Sequence, residues 1–142
     1  MRTYYIFKIT DEYYELYQNK ETMLFELLEQ VQKLSKNDIG FVKHLYEQIV
    51  EPLHKISLNE YIYQKHIEDM AYTKYLHTHM YYDVFGGEET TLIVHNRYIK
   101  LSSNLNFPTF LYDLFGYETN LFVCDFASSD YFWVGKMLKE LV

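Results

Sequence analysis

Near Met70 the apolar residues of this chain change from helical spacing to strand-like alternation. That switch restricts the folds open to it. Ahead of the switch, Tyr4 to Ile9 reads as one strand, aromatic and β-branched with alternation around Lys8. Thr10 or Asp11 is then placed to cap a short helix running to about Gln18, which a left-handed Asn19 would close. Leu24, Leu27, Leu28, Val31 and Leu34 give a second helix its apolar face. Asn37 or Asp38 starts a third, whose face is Val42, Leu45, Tyr46 and Ile49. It stops near Pro52, because the residue before a proline is pushed out of helical geometry. Ser57-Leu58-Asn59-Glu60 has the form of a capping box that opens a helix reaching about Met70.

After the switch, Tyr72 to Val84 alternates loosely and Gly86-Gly87 turns the chain. Thr90 to Val94 and Tyr98 to Ser102 flank a tight turn at His95-Asn96-Arg97. Asn106 and Pro108 open another helix in cap-then-proline order, and Gly116 closes it. Tyr117 to Phe126 and Tyr131 to Val134 form a last hairpin around Ser128-Ser129-Asp130, and Lys136 to Leu141 reads as a helical turn. Helices early and hairpins late predict an α+β fold. The expected architecture is a single domain over residues 1–142, with a mainly antiparallel sheet of the N-terminal strand and C-terminal hairpins packed with about four or five helices.

Composition narrows the function. The formal net charge is −7, which repels phosphates and argues against direct nucleic-acid binding, and no Lys/Arg cluster offsets it. The 16 tyrosines suit protein contacts, since each has a large apolar face, a polar tip and few bonds to freeze. Many also suit half-buried strands. No uncharged apolar run is long enough to span a bilayer and no signal-peptide core precedes the first strand. The single cysteine, Cys124, sits in the apolar run Leu121–Cys124 and reads as a small core hydrophobe. A cytoplasmic protein without a membrane partner is expected.

Catalytic equipment is sparse. Gly86-Gly87 precedes Glu88-Glu89, the wrong charge for a phosphate loop. Strand alternation would place His77 and His79 on one face, with His66 or Asp83 as a third metal ligand only through an unspecified fold contact. Two surface histidines are the simpler reading, so no metal, cofactor or catalytic residue is assigned. The helix Asp11–Tyr17 is more informative. Residues four apart share a face, so Tyr13 and Tyr17 form an aromatic ridge, while Leu16 points partly inward. Acidic neighbours Glu12 and Glu15 would steer a basic partner. The same spacing also allows the rings to pack on the sheet below.

Tyr4-Tyr5, Ile9, Tyr13, Tyr17 and Glu21 leading into Met23-Leu24-Phe25-Glu26-Leu27 resemble the opening of the sporulation inhibitor of replication family, SirA. Leu121 to Phe126, then Ser128, Tyr131 and Trp133, resemble its C-terminal portion in the right order. The resemblance implies a small cytosolic protein that binds domain I of the replication initiator DnaA and hinders its action at the origin. It also implies that Tyr13 and Tyr17 match two aromatic contact positions on the family's first helix. Asp11, Glu12, Tyr14 and Gln18 join them by proximity on that helix. The chain departs from the family pattern at Tyr13, where phenylalanine is common, and at Lys136, where proline is. Rival readings are a module for a different cytosolic protein, a metal-dependent or small-molecule enzyme using His66, His77 and His79, and a single-strand nucleic-acid binder.

Overall fold

The N-terminal strand lies inside the sheet, where both of its faces are covered. A computed structural model describes residues 1–34 and 39–137. In chain order the elements are β1 (Arg2–Lys8), α1 (Asp11–Tyr17), α2 (Glu21–Leu34), α3 (Ile39–Ile49), α4 (Lys55–His66), β2 (Tyr72–Tyr75), β3 (Thr78–Asp83) and β4 (Glu88–Val94). They continue with β5 (Ile99–Ser103), α5 (Thr109–Phe115), β6 (Leu121–Asp125), β7 (Asp130–Trp133) and a 3₁₀ turn, Val134–Lys136. Among the described residues, seven strands form one sheet in the order β2-β3-β4-β5-β1-β6-β7. Every neighbouring pair is antiparallel. The expected α+β domain is observed.

Alternation along β1 divides the core. Tyr4 and Ile6 point to one face, where they pack with Leu58 and Ile62 of α4 and Phe110 and Leu114 of α5. Phe7, with Ile9 beyond the strand, joins Leu24 and Leu28 of α2, Ile49 of α3, Phe122 and Trp133 on the other. All of β6 is buried, as a strand covered on both faces requires. Cys124 lies there, and burial pushes its thiol well above the ordinary value, consistent with a core hydrophobe.

Local signals misplaced several boundaries. Thr10 occupies the N-cap position of α1, but its hydroxyl donates to the Gln48 carbonyl instead of capping the helix. Asn19 is not left-handed: the described non-glycine residues with positive φ are Leu76 and Ser129. The α4 helix starts at Lys55 with His54 before it and ends at His66, so Ser57 is interior and the capping box does not form. Instead, Glu60 accepts a hydrogen bond from Gln64 one turn on. On α2, Leu34 is exposed and Phe25 takes a place in the core. The proposed starts of α3 at Asn37 or Asp38, and the tail beyond Met137, lie outside the described residues.

The stretch from Tyr72 to Val84 is two strands, because Leu76 at φ 53° reverses the chain between β2 and β3. Asn106 does not cap α5. Its carbonyl accepts from Tyr4 Oη and its side-chain oxygen from Arg2. The cap comes from a distant strand: buried Glu88 on β4 accepts hydrogen bonds from the Thr109 amide at 3.0 Å and the Thr109 hydroxyl at 2.6 Å. Gly116 ends α5 as expected, and a Cβ there would stand 3.0 Å from Tyr61 Oη.

Candidate functional site: the surface of α1

The α1 helix has only 7 residues and cannot hold itself together, since so short a segment is marginal in water. Its neighbours fix it. The Thr10 amide donates to the Ile49 carbonyl at 2.9 Å and the Ile9 amide to the Asn120 carbonyl at 3.0 Å, anchoring the entry. Tyr14 turns inward and meets Trp133 edge-on, with ring centroids 4.9 Å apart. At the exit, Lys136 Nζ donates to the Gln18 carbonyl and to the Glu21 carboxylate, closing the α1–α2 corner. Burial disfavours the Glu21 carboxylate, but the Lys136 hydrogen bond, a backbone hydrogen bond and the Lys136 charge together outweigh it and hold the group below its usual range.

These anchors set the roll of the helix. Tyr13, Tyr14, Tyr17 and Gln18 are half-buried, and Asp11, Glu12, Glu15 and Leu16 are exposed. Tyr13 and Tyr17 come together as the four-residue spacing predicts, stacked with centroids 5.9 Å apart and planes 20° apart. Both rings pack at the edge of the core cluster that α2, α3 and the sheet share, and both stay half-exposed. Leu16 does not point inward; it is 57% exposed. Sequence spacing missed it, because the helical period gives relative directions and not the roll of the helix on its sheet. The surface therefore combines a rigid aromatic pair, an exposed leucine and three exposed carboxylates. Such a patch suits an apolar anchor contact inside a basic rim.

The histidines are arranged differently from expectation. His77 is exposed in the β2–β3 turn and His79 is fully buried in β3, so only one of the two is a surface histidine. Asn59 of α4 joins them, donating from Nδ2 to His77 Nδ1 at 2.7 Å and accepting at Oδ1 from His79 Nε2 at 2.7 Å. Tyr72 Oη donates to His79 Nδ1 at 2.7 Å, so both nitrogens of that ring are engaged. Burial, with Lys74, His66 and His77 nearby, lowers the His79 pKa to about 4. His66 pairs separately with Asp113 on α5. Among the described residues no group of three or more His, Cys, Asp and Glu side chains is placed to hold a metal, and no helix is long and apolar enough to cross a membrane.

A family model described as sporulation inhibitor of replication protein SirA matches residues 2–137. No curated protein matches the chain significantly.

Proposed function

The chain belongs to the SirA family of sporulation-related replication inhibitors, and on that premise we propose that it binds domain I of DnaA through α1 and blocks its action at the chromosomal origin. The observation that carries this reading is the Tyr13–Tyr17 stack at 5.9 Å on the open flank of a helix lined with Asp11, Glu12 and Glu15. Two stacked rings present apolar area that is already ordered, so docking costs little additional side-chain entropy. Exposed carboxylates around them raise the encounter rate with a basic surface. Leu16 extends the contact, while Tyr14 supports the helix from below.

The action is inhibition by occupancy. The bound protein covers a surface of the initiator needed for assembly or helper binding, and no bond is made or broken. The reaction partners are two cytoplasmic proteins; neither DNA nor a cofactor takes part in the contact. Titration of isolated DnaA domain I into the purified protein tests the reading. Saturable one-to-one binding that Tyr17→Ala removes at micromolar concentrations is expected. No heat or shift with the unaltered protein would reject the partner, and unchanged affinity in both Tyr13→Ala and Tyr17→Ala would reject the surface.

A further inference from the structure

A second concave surface lies on the α4 side of the sheet, away from α1. It is an open groove of about 1300 Å³ along α4, from the residues before its start to Lys65 in its last turn. Tyr61 and Tyr117 form its aromatic wall, with ring centroids 5.0 Å apart. The Tyr61 hydroxyl donates to the Asp113 carbonyl at 3.0 Å and Tyr117 packs against that fixed ring, so the wall needs little ordering on binding. Ile56 continues the apolar lining and is 86% exposed, a large side chain that the core does not use.

Two lysines border this apolar strip. Lys65 Nζ stands 5.4 Å from the Tyr61 ring centroid, and Lys55 lines the groove beside Ile56. Neither has an ion-pair partner among the described residues. The groove also holds one acid, Glu60, hydrogen-bonded to Gln64, so two lysines outweigh a single carboxylate along its lining. His54 and His77 complete the rim. On a chain of net charge −7, this is a local reversal of sign. Unpaired cations beside fixed aromatic faces favour an anionic partner that also brings apolar surface. The volume exceeds what a small molecule fills, and fits an extended segment.

We infer that this groove is a second docking surface, for an acidic peptide segment carrying an apolar anchor. Its lysines receive the carboxylates, and the Tyr61–Tyr117 wall and Ile56 receive the anchor. The probe is a short fluorescein-labelled peptide of glutamates interrupted by one leucine and one phenylalanine, followed by anisotropy at low ionic strength. Saturable binding is expected, weakened about tenfold or more by the double variant Lys55→Glu, Lys65→Glu. Ile56→Asp, at an exposed position, should weaken it too, and Tyr17→Ala should leave it unchanged. Circular dichroism and the urea midpoint check that the variants fold. Absence of saturable binding, equal binding of a lysine counterpart or of glutamates without the apolar residues, or indifference to the lysine reversals would overturn the inference. Preferential binding of phosphatidylglycerol vesicles at the same lysines would overturn it in favour of a membrane.

Discussion

Lys136 donates from its ammonium to the main-chain carbonyl of Gln18, the residue that ends the helix bearing Tyr13 and Tyr17. The two residues are 118 positions apart, so the C-terminal turn fixes the orientation of the N-terminal helix. The same ammonium holds Glu21, which leads into α2.

Lys136→Ala should therefore release the corner without unfolding the protein. The clasp is partly exposed, so its loss is expected to cost about 1 kcal/mol or less in a urea titration. The effect concentrates locally: hydrogen exchange of the α1 amides should accelerate, and affinity for DnaA domain I should fall severalfold. Unchanged α1 exchange would show that the tyrosine packing alone holds the helix.

Substitutions on α1 should separate contact from support. Tyr17→Ala removes a central aromatic and is expected to weaken domain I binding by about 2 kcal/mol, roughly thirtyfold. Leu16→Asp should weaken binding while leaving the urea midpoint in place, since that side chain is exposed. Tyr14→Ala should do the reverse first: it strips the edge-on contact from Trp133, lowers stability and alters the tryptophan fluorescence.

His79 should make stability pH-dependent. Its pKa is about 4 in the fold, against an ordinary value of 6.5. Between those values the unfolded chain takes up a proton that the folded ring refuses, so stability falls as pH drops through that window and levels off below it. The full loss is on the order of 3–4 kcal/mol. Urea midpoints of the protein and of His79→Gln, compared from about pH 7 to about pH 4, isolate this contribution from that of the carboxylates. Parallel curves would show that His79 does not titrate as its burial implies.

Glu88 should behave as a structural acid. It accepts from the Thr109 amide and hydroxyl, which are part-buried, and from the buried Thr90 hydroxyl. Glu88→Ala leaves those donors without their acceptor and uncaps α5, at an expected cost of about 2 kcal/mol or more by denaturant unfolding. Glu88→Gln, which keeps one oxygen, should lose less.

Much of the fold was legible because its signals are local. The β-branched and aromatic run of β1, the apolar face of α3, most of that of α2 and the turn at His95–Arg97 are properties of adjacent residues, and they appear where the pattern puts them; the last hairpin also forms, but its turn falls at residues 126–129 and Asp130 already belongs to β7. The Tyr13–Tyr17 pair was legible for the same reason, since one helical turn brings residues four apart together whatever lies beneath. The capping box at Ser57 and the left-handed Asn19 failed because such motifs are permissive. Packing of Leu58 and Ile62 fixed where α4 begins its useful face, and the Lys136 clasp closed α1 without a left-handed residue.

The sequence by itself determined an acidic α+β chain with an aromatic pair on its first helix and a resemblance that pointed to a partner. Only the tertiary structure decided that β1 and β6 are covered on both faces, that Leu16 faces out, that His79 is enclosed by Asn59 and Tyr72, and that Glu88 caps a helix 21 residues away. The physical reason is that periodicity fixes the angles between side chains within an element. The rotation of that element, and the partners its polar groups find, are set by contacts between segments far apart in the chain.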